Sequence, residues 1–427
     1  MSSDRPSSPP AAGAAPAGSS SSAGCTTNKA FQQSTQAVRA GLECDDHTGC
    51  VVPPIHLTST FAFRGFGDKR AYDYTRSGNP TRDLLANALA ELEEGVGGVV
   101  TSTGMSAITL VGYLIPAGAR IVAPHDCYGG TYRLFDAWRR RGERQVDFVN
   151  FNDEAAVHEA LARPTALLWI ETPSNPLLRI TDIAHLSALG HQAGAIVLVD
   201  NTFLSPAWQQ PLKLGADLVL HSTTKYLNGH SDVVGGAVVA RDKALHEQLV
   251  WWANCLGVTG APFDSYMTLR GLRTLHVRLE QHASNSLALA QWLQTQPNVT
   301  KVYYPGLPTH PGHDVALRQQ RAFGAIVTLD LAGGHDAVRE FVDGLHCFSL
   351  AESLGGVESL IAHPATMTHA AMDPAARQKA GLTDGLLRLS VGIEAFEDLR
   401  ADLAAGLERA AKALARKSEA DKVVTAA

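Results

Sequence analysis

Two neighbouring stretches decide the fold: Ile196-Val-Leu-Val-Asp-Asn-Thr202 and, shortly after it, Asp217-Leu-Val-Leu-His-Ser-Thr-Thr-Lys225. Each is a short apolar run that ends abruptly in polar groups. A strand with no polar alternation has both faces buried, which marks a mainly parallel sheet covered by helices on two sides. Three more runs fit the same description: Arg120-Ile-Val-Ala123, Leu167-Leu-Trp-Ile170 and Gly236-Ala-Val-Val239. Helical patterns flank them. Arg82 to Glu94 places Leu84, Leu85, Ala88, Leu89 and Leu92 on one face. A second helix, expected to be capped by Thr181 and closed by Gly194, turns Ile183, Leu186 and Leu189 inward. Further on, the sequence predicts a long helical stretch from Asp264 to Gln296. Strands over Gly324–Leu331 and Leu386–Val391 follow, then a last helix from Phe396 to Arg416, as in a smaller α+β domain.

The whole chain has 427 residues and a net charge of −6, which gives no electrostatic reason to expect nucleic acid or an anionic membrane surface as a partner. Gly95 to Ala119 carries no charge and is long enough to span a bilayer. Its central Thr101-Ser-Thr-Gly104 instead marks a buried strand, a polar turn and a buried helix. Residues 2–24 are almost all Ser, Ala, Pro and Gly and read as a disordered tail without an apolar signal core. The six cysteines contain no C-x-x-C, and no metal site is expected. Charged residues make up 18%, against ~25% in an ordinary soluble domain. A sheet buried on both faces and surface hidden between subunits would account for that deficit.

In open parallel sheets, ligands bind beyond the carboxyl ends of the strands. Those ends can be read directly: Glu171-Thr-Pro-Ser-Asn175, Asp200-Asn-Thr202 and His221-Ser-Thr-Thr-Lys225. The chain has only ten lysines, and Lys225 alone leaves an apolar strand inside a Ser/Thr run. A lysine kept from water there can lose its proton and act as a Schiff-base nucleophile. Such a lysine points to pyridoxal phosphate, which needs a carboxylate at its ring nitrogen, an anion cradle and a flat partner for its ring. Asp200 can supply the first. Thr103-Gly-Met-Ser106 opens a helix expected to start near Ala107, whose free amides can hold a phosphate, helped by the Ser222 and Thr224 hydroxyls. Tyr128 can stack. The chain contains no Walker loop, H-E-x-x-H zinc motif, dinucleotide fingerprint or G-x-S-x-G elbow.

Several ordered segments together resemble the Cys/Met-metabolism family of pyridoxal-phosphate enzymes over roughly residues 32–415. They are Tyr74-Thr-Arg-Ser-Gly-Asn-Pro-Thr81, Ser102–Ser106, Val199–Phe203, Ser222–Gly235 and Ser353–Ser359. The resemblance implies an aspartate-aminotransferase-like, fold type I α/β architecture, assembled as a homotetramer of two tight dimers. It implies a tail over residues 1–28, an arm over 29–80 that contacts the neighbouring subunit, a cofactor domain over 81–277, a C-terminal domain over 278–417 and a short tail over 418–427. By motif, Lys225 carries the cofactor and moves protons, Asp200 pairs with the ring nitrogen, and Tyr128 stacks. Gly104, Met105, Ser222 and Thr224 hold the phosphate, with Tyr74 and Arg76 reaching it from the neighbouring subunit. Arg388 clamps the substrate carboxylate, helped by Asn175 and Ser353. Glu352 marks γ-acting members. Arg133 is a candidate for an acyl carboxylate, because Ser77 stands where some bacterial relatives have a second arginine. The implied reaction is γ-replacement on an O-acylhomoserine by the thiol of cysteine, in the cytoplasm. Elimination from the thioether and direct sulfhydrylation are alternatives on the same scaffold.

Overall fold

The protein is described by a computed structural model covering residues 30–367 and 381–425. The tail expected over 1–28 lies outside the described residues. The larger sheet has seven strands: β1 (Gly97–Thr101), β2 (Arg120–Pro124), β3 (Gln145–Val149), β4 (Leu167–Glu171), β5 (Ile196–Asp200), β6 (Leu218–His221) and β7 (Gly236–Ala240). Their order is β1-β7-β6-β5-β4-β2-β3, and only β7 runs antiparallel to its neighbours.

The uninterrupted apolar runs are explained by two separate cores. Leu168, Ile170, Val197, Val199 and Val219 point to one face. Leu167, Trp169, Leu198, Leu218 and Leu220 point to the other. Successive strand residues alternate sides, so a strand packed on both must be apolar at every position.

A second sheet holds β8 (Val299–Tyr303), β9 (Ile326–Leu331), β10 (Ser349–Leu350), β11 (Leu360–Ala362) and β12 (Leu386–Ser390), in the order β10-β11-β12-β9-β8. It has its own core, in which Phe341 and Leu403 are fully buried between the helices Gly334–Val342 and Phe396–Thr425.

Four local expectations are corrected. Asp182, not Thr181, caps the helix Ile183–Gln192, its carboxylate accepting from the His185 amide at 3.0 Å. Thr181 is buried, and its amide is bound to the Thr172 hydroxyl. The stretch from 264 to 296 is two helices, Pro262–Leu272 and Leu275–Leu293, separated at Arg273 and Thr274. The helix expected near Ala107 begins at Gly104, because the Thr103 hydroxyl takes the Ser106 amide at 2.8 Å and sets the cap earlier. The last helix continues to Thr425, through most of the segment expected to be a tail, since no Gly or Pro stops it. Among the described residues no helix is long and apolar enough to cross a membrane.

Candidate active site

The order β4-β5-β6 sets three strand ends side by side. Glu171 lies in register with Asp200, and Asp200 with Leu220, immediately before His221 and Ser222. Beyond these ends opens a cavity of about 550 Å³. Its walls include Gly104, Met105, Tyr128, Asn175, Asp200, Ser222, Thr224, Lys225, Glu352, Ser353 and Arg388. These residues come from both sheets and from segments far apart in the chain.

One end of the cavity is formed by the start of the helix Gly104–Gly112, which could hold an anion. The first amides of a helix have no partner one turn back, so those of Gly104 and Met105 are open at the cavity mouth. A Cβ on Gly104 would meet the Ser222 side chain at 3.1 Å, a tighter contact than side chains ordinarily make, which glycine avoids. Thr202 braces this corner. Its amide donates to Asp200 at 3.0 Å, and its hydroxyl accepts from the Ser222 amide at 2.9 Å. Thr224 lines the cavity, but its hydroxyl donates to the Gly235 carbonyl at 3.2 Å and accepts from the Gly235 amide at 3.0 Å.

The floor is acidic. Burial pushes both the Asp200 and the Glu171 carboxyls up, and for Glu171 the Asp200 charge adds to the effect. Glu171 accepts from the Tyr128 amide at 2.7 Å and so fixes the residue whose ring stands at the cavity. Two neighbouring buried carboxyls call for a cation facing them. A protonated pyridine nitrogen would meet that need.

Lys225 brings an amine to the cavity wall that can serve as a nucleophile. Its amine donates to the Ser353 hydroxyl at 2.6 Å. Burial, and then the Arg388 charge, push its pKa down to about 8, so a usable fraction is neutral near physiological pH. Ser353 itself is held at φ +99°, a strained backbone for any residue but glycine. Arg388 rises from β12, in the middle of the second sheet. It donates to the Asn175 side chain at 3.1 Å and to the Ser353 carbonyl at 2.7 Å, while its buried Nε has no hydrogen-bond partner. Burial lowers its pKa to about 10, so the guanidinium remains charged. It is a preorganised, under-satisfied cation at the cavity wall, suited to a carboxylate.

Three expected residues are not brought into this cavity by their own chain. Tyr74 and Arg76 are apart from its walls, stacked on one another with 5.5 Å between guanidinium and ring centre. Arg133 sits exposed on the helix Gly129–Arg140 and is not a wall residue. Conversely, the roles of Thr202 and Glu171 as braces were not foreseen, although both lie at strand ends already singled out. A buried pair behind the floor also escaped the sequence: Glu93 meets His221 at 2.6 Å, and the Asn201 side chain donates to the same carboxylate oxygen. Sequence separation hid it.

The open helix amides, the acidic floor and the buried amine fit pyridoxal 5′-phosphate, and the protein is a pyridoxal-phosphate-dependent enzyme. Residues 34–408 match the family described as Cys/Met metabolism PLP-dependent enzyme, and the chain belongs to that family. It is 58% identical over 382 residues to the cystathionine gamma-synthase of Escherichia coli (strain K12), covering 89% of this chain and 99% of that one. It is 48% identical over 382 residues to the cystathionine beta-lyase of Coxiella burnetii, with the same coverage. Among solved structures, cystathionine gamma synthase from Xanthomonas oryzae pv. oryzae in complex with cystathionine superposes with a TM-score of 0.89 at 61% identity, covering 90% of this chain and 99% of that one.

Proposed function

We propose that this enzyme is a transferase of the cystathionine γ-synthase type. It joins the thiol of L-cysteine to Cγ of an O-acylhomoserine, releasing the carboxylic acid and forming cystathionine on the way to methionine. O-succinylhomoserine is the favoured substrate and O-acetylhomoserine the second. Pyridoxal 5′-phosphate supplies an electron sink next to Cα. Arg388 binds the substrate carboxylate through its fork, and Asn175 orients that fork. Lys225 Nζ takes the Cα proton and then moves protons at Cβ, its flexible stem reaching both carbons. Ser353 holds the amine in place. Asp200 keeps the ring nitrogen protonated. Gly104, Met105 and Ser222 bind the phosphate, with Thr224 beside them. Tyr128 covers the ring.

The observation that carries this reading is the amine of Lys225 bound to Ser353 with Glu352 and Arg388 at the same cavity, since the family resemblance implies an acid next to this serine in γ-acting members. The 58% identity to the Escherichia coli synthase supports it. The resemblance implies a cysteine at the position of Gly130 in methionine γ-lyases, and here a Cβ there would sit 2.4 Å from the Tyr128 ring and 2.6 Å from the Met105 sulfur. The exposed position of Arg133 gives no support to a role for it in acyl recognition within one chain.

The proposed working unit is a cytoplasmic homotetramer of two dimers, in which Tyr74 and Arg76 complete the phosphate site of the neighbouring subunit. The arm (29–80), cofactor (81–277) and C-terminal (278–417) boundaries are proposed with it. The half-exposed Tyr74 ring, outside its own cavity, is consistent with that sharing. The test is product analysis of holoenzyme with O-succinylhomoserine and cysteine, run beside the acetyl ester. Cystathionine should form. A second reading, cleavage of cystathionine, is favoured by the 48% identical β-lyase. It wins if cystathionine is consumed and none is made, and sulfide consumption would indicate a sulfhydrylase.

A further inference from the structure

The segment that carries Tyr74 and Arg76 is pinned by a buried cation in an unfavourable place. Arg82 sits in the first turn of the helix Pro80–Glu93, at the positive end of its dipole, and is buried. All three of its guanidinium hydrogen bonds go to backbone carbonyls: Thr75 at 2.7 Å and Arg76 at 3.4 Å through Nη2, and Gly260 at 3.2 Å through Nη1. The adjacent carboxyl, Asp83, is engaged by the Tyr72 hydroxyl, and its charge offsets only part of the burial cost of Arg82, whose pKa is still pushed down. Gly260 is itself anchored, its amide donating to the Val100 carbonyl at 3.1 Å, and Thr259 bridges to Thr101. Val100 and Thr101 end β1 and lead into the Gly104 cradle. One side chain therefore ties the 75–76 backbone to the strand beneath the chain's own anion site. The Arg76 side chain is held separately, its Nε donating to Asn254 Oδ1 at 3.0 Å, with Asn254 half-buried on the helix Lys243–Leu256.

A cation placed against a helix dipole and away from water is a poor choice for stability alone. Its forked donors are suited to one task here, setting the path of the 74–76 segment. We infer that Arg82 and Asn254 are positioning residues that act across the subunit boundary, shaping the Tyr74–Arg76 segment of one chain to complete the cofactor-phosphate site of the next. This inference rests on the shared-site reading above.

The test uses holoenzyme carrying Arg82→Lys, which keeps the charge and loses the fork, or Asn254→Ala, whose half-exposed site leaves the fold intact. Cofactor affinity is read by equilibrium dialysis, with thermal unfolding as the fold control. Each variant should raise the cofactor dissociation constant by roughly tenfold, the equivalent of one charged hydrogen bond. The decisive arm pairs each variant with Lys225→Ala in heterodimers built from differently tagged subunits. If the defect acts in trans, the site using Lys225 of the variant chain meets an intact segment from the other chain. About half of wild-type activity and one tight cofactor site then return, one of two sites being whole. A control pairs Arg76→Ala with Lys225→Ala. Recovery in the control without recovery for either variant overturns the inference. No recovery in the control overturns the shared-site reading itself. If Arg82→Lys does not fold, Asn254→Ala decides by the same two outcomes.

Discussion

Replacing Arg388 by lysine tests its proposed role as the carboxylate clamp. The guanidinium is anchored at two points, Asn175 Oδ1 at 3.1 Å and the Ser353 carbonyl at 2.7 Å, and its Nε remains without a partner. A planar fork so anchored can meet a carboxylate with two parallel bonds, whereas an ammonium offers a point charge and cannot satisfy the same geometry. Truncating one member of a buried, hydrogen-bonded charge pair costs about 2–5 kcal/mol. Because lysine retains the charge, about 3 kcal/mol is expected, or roughly 150-fold in kcat/KM, with KM for the O-acylhomoserine carrying much of the loss. Steady-state kinetics of cystathionine formation read this directly. A second readout uses Arg388→Met and the apoenzyme. Arg388 is the charge that helps lower the Lys225 pKa to about 8. Only the neutral amine can capture the cofactor aldehyde, so capture by wild-type apoenzyme should rise with pH through about 8 and then level off. Removing the cation moves that midpoint upward, toward the ordinary lysine value of about 10.4. A KM within twofold of wild type in Arg388→Lys, together with an unmoved midpoint in Arg388→Met, would refute the placement of Arg388 at the substrate and beside Lys225.

Lys225→Ala should fold, bind the cofactor without a covalent link and lose turnover by orders of magnitude, checked by borohydride trapping and rate; near-normal activity sinks the mechanism. Asp200→Asn should keep the fold and lower turnover on the order of 10²-fold or more by removing the carboxylate proposed to face the ring nitrogen. A changed absorption band of the bound cofactor should accompany it, and an unaltered spectrum with full activity would contradict the assignment. Phe341→Ala should destabilise the second sheet's core by about 3–5 kcal/mol, read by denaturant unfolding, because the ring is fully buried; a loss below 1 kcal/mol would mean the site collapses around the gap.

Much of the fold was legible because burial on both faces leaves a direct mark on composition. The runs at 167–170, 196–199 and 217–220 could only be central strands, and their polar endings pointed to the rim. Local capping was less legible. Thr181 and Asp182 are adjacent and both able to cap, and the choice fell to the carboxylate because Thr181 is buried against Thr172. The break at Arg273 and Thr274 is marked only by Gly271, which lies inside the last turn of the first helix rather than at the break itself. Tyr74, Arg76 and Arg133 could be named from motifs but not located, since a motif says which groups serve and not which cavity they face.

Chain order and apolar patterning were enough to specify a two-sided parallel sheet, a lysine at its rim and the groups able to serve it, because period and burial are local properties. Strand order is not local. It set Glu171 beside Asp200, so that two carboxyls share one buried floor. Packing of the second sheet brought Arg388 to Asn175, 213 positions away in the chain, Ser353 to Lys225, 128 positions away, and Arg388 to Ser353, 35 positions away. The buried Arg82 is tied down in the same way, by the Gly260 carbonyl 178 positions further along, a contact that no stretch of sequence displays.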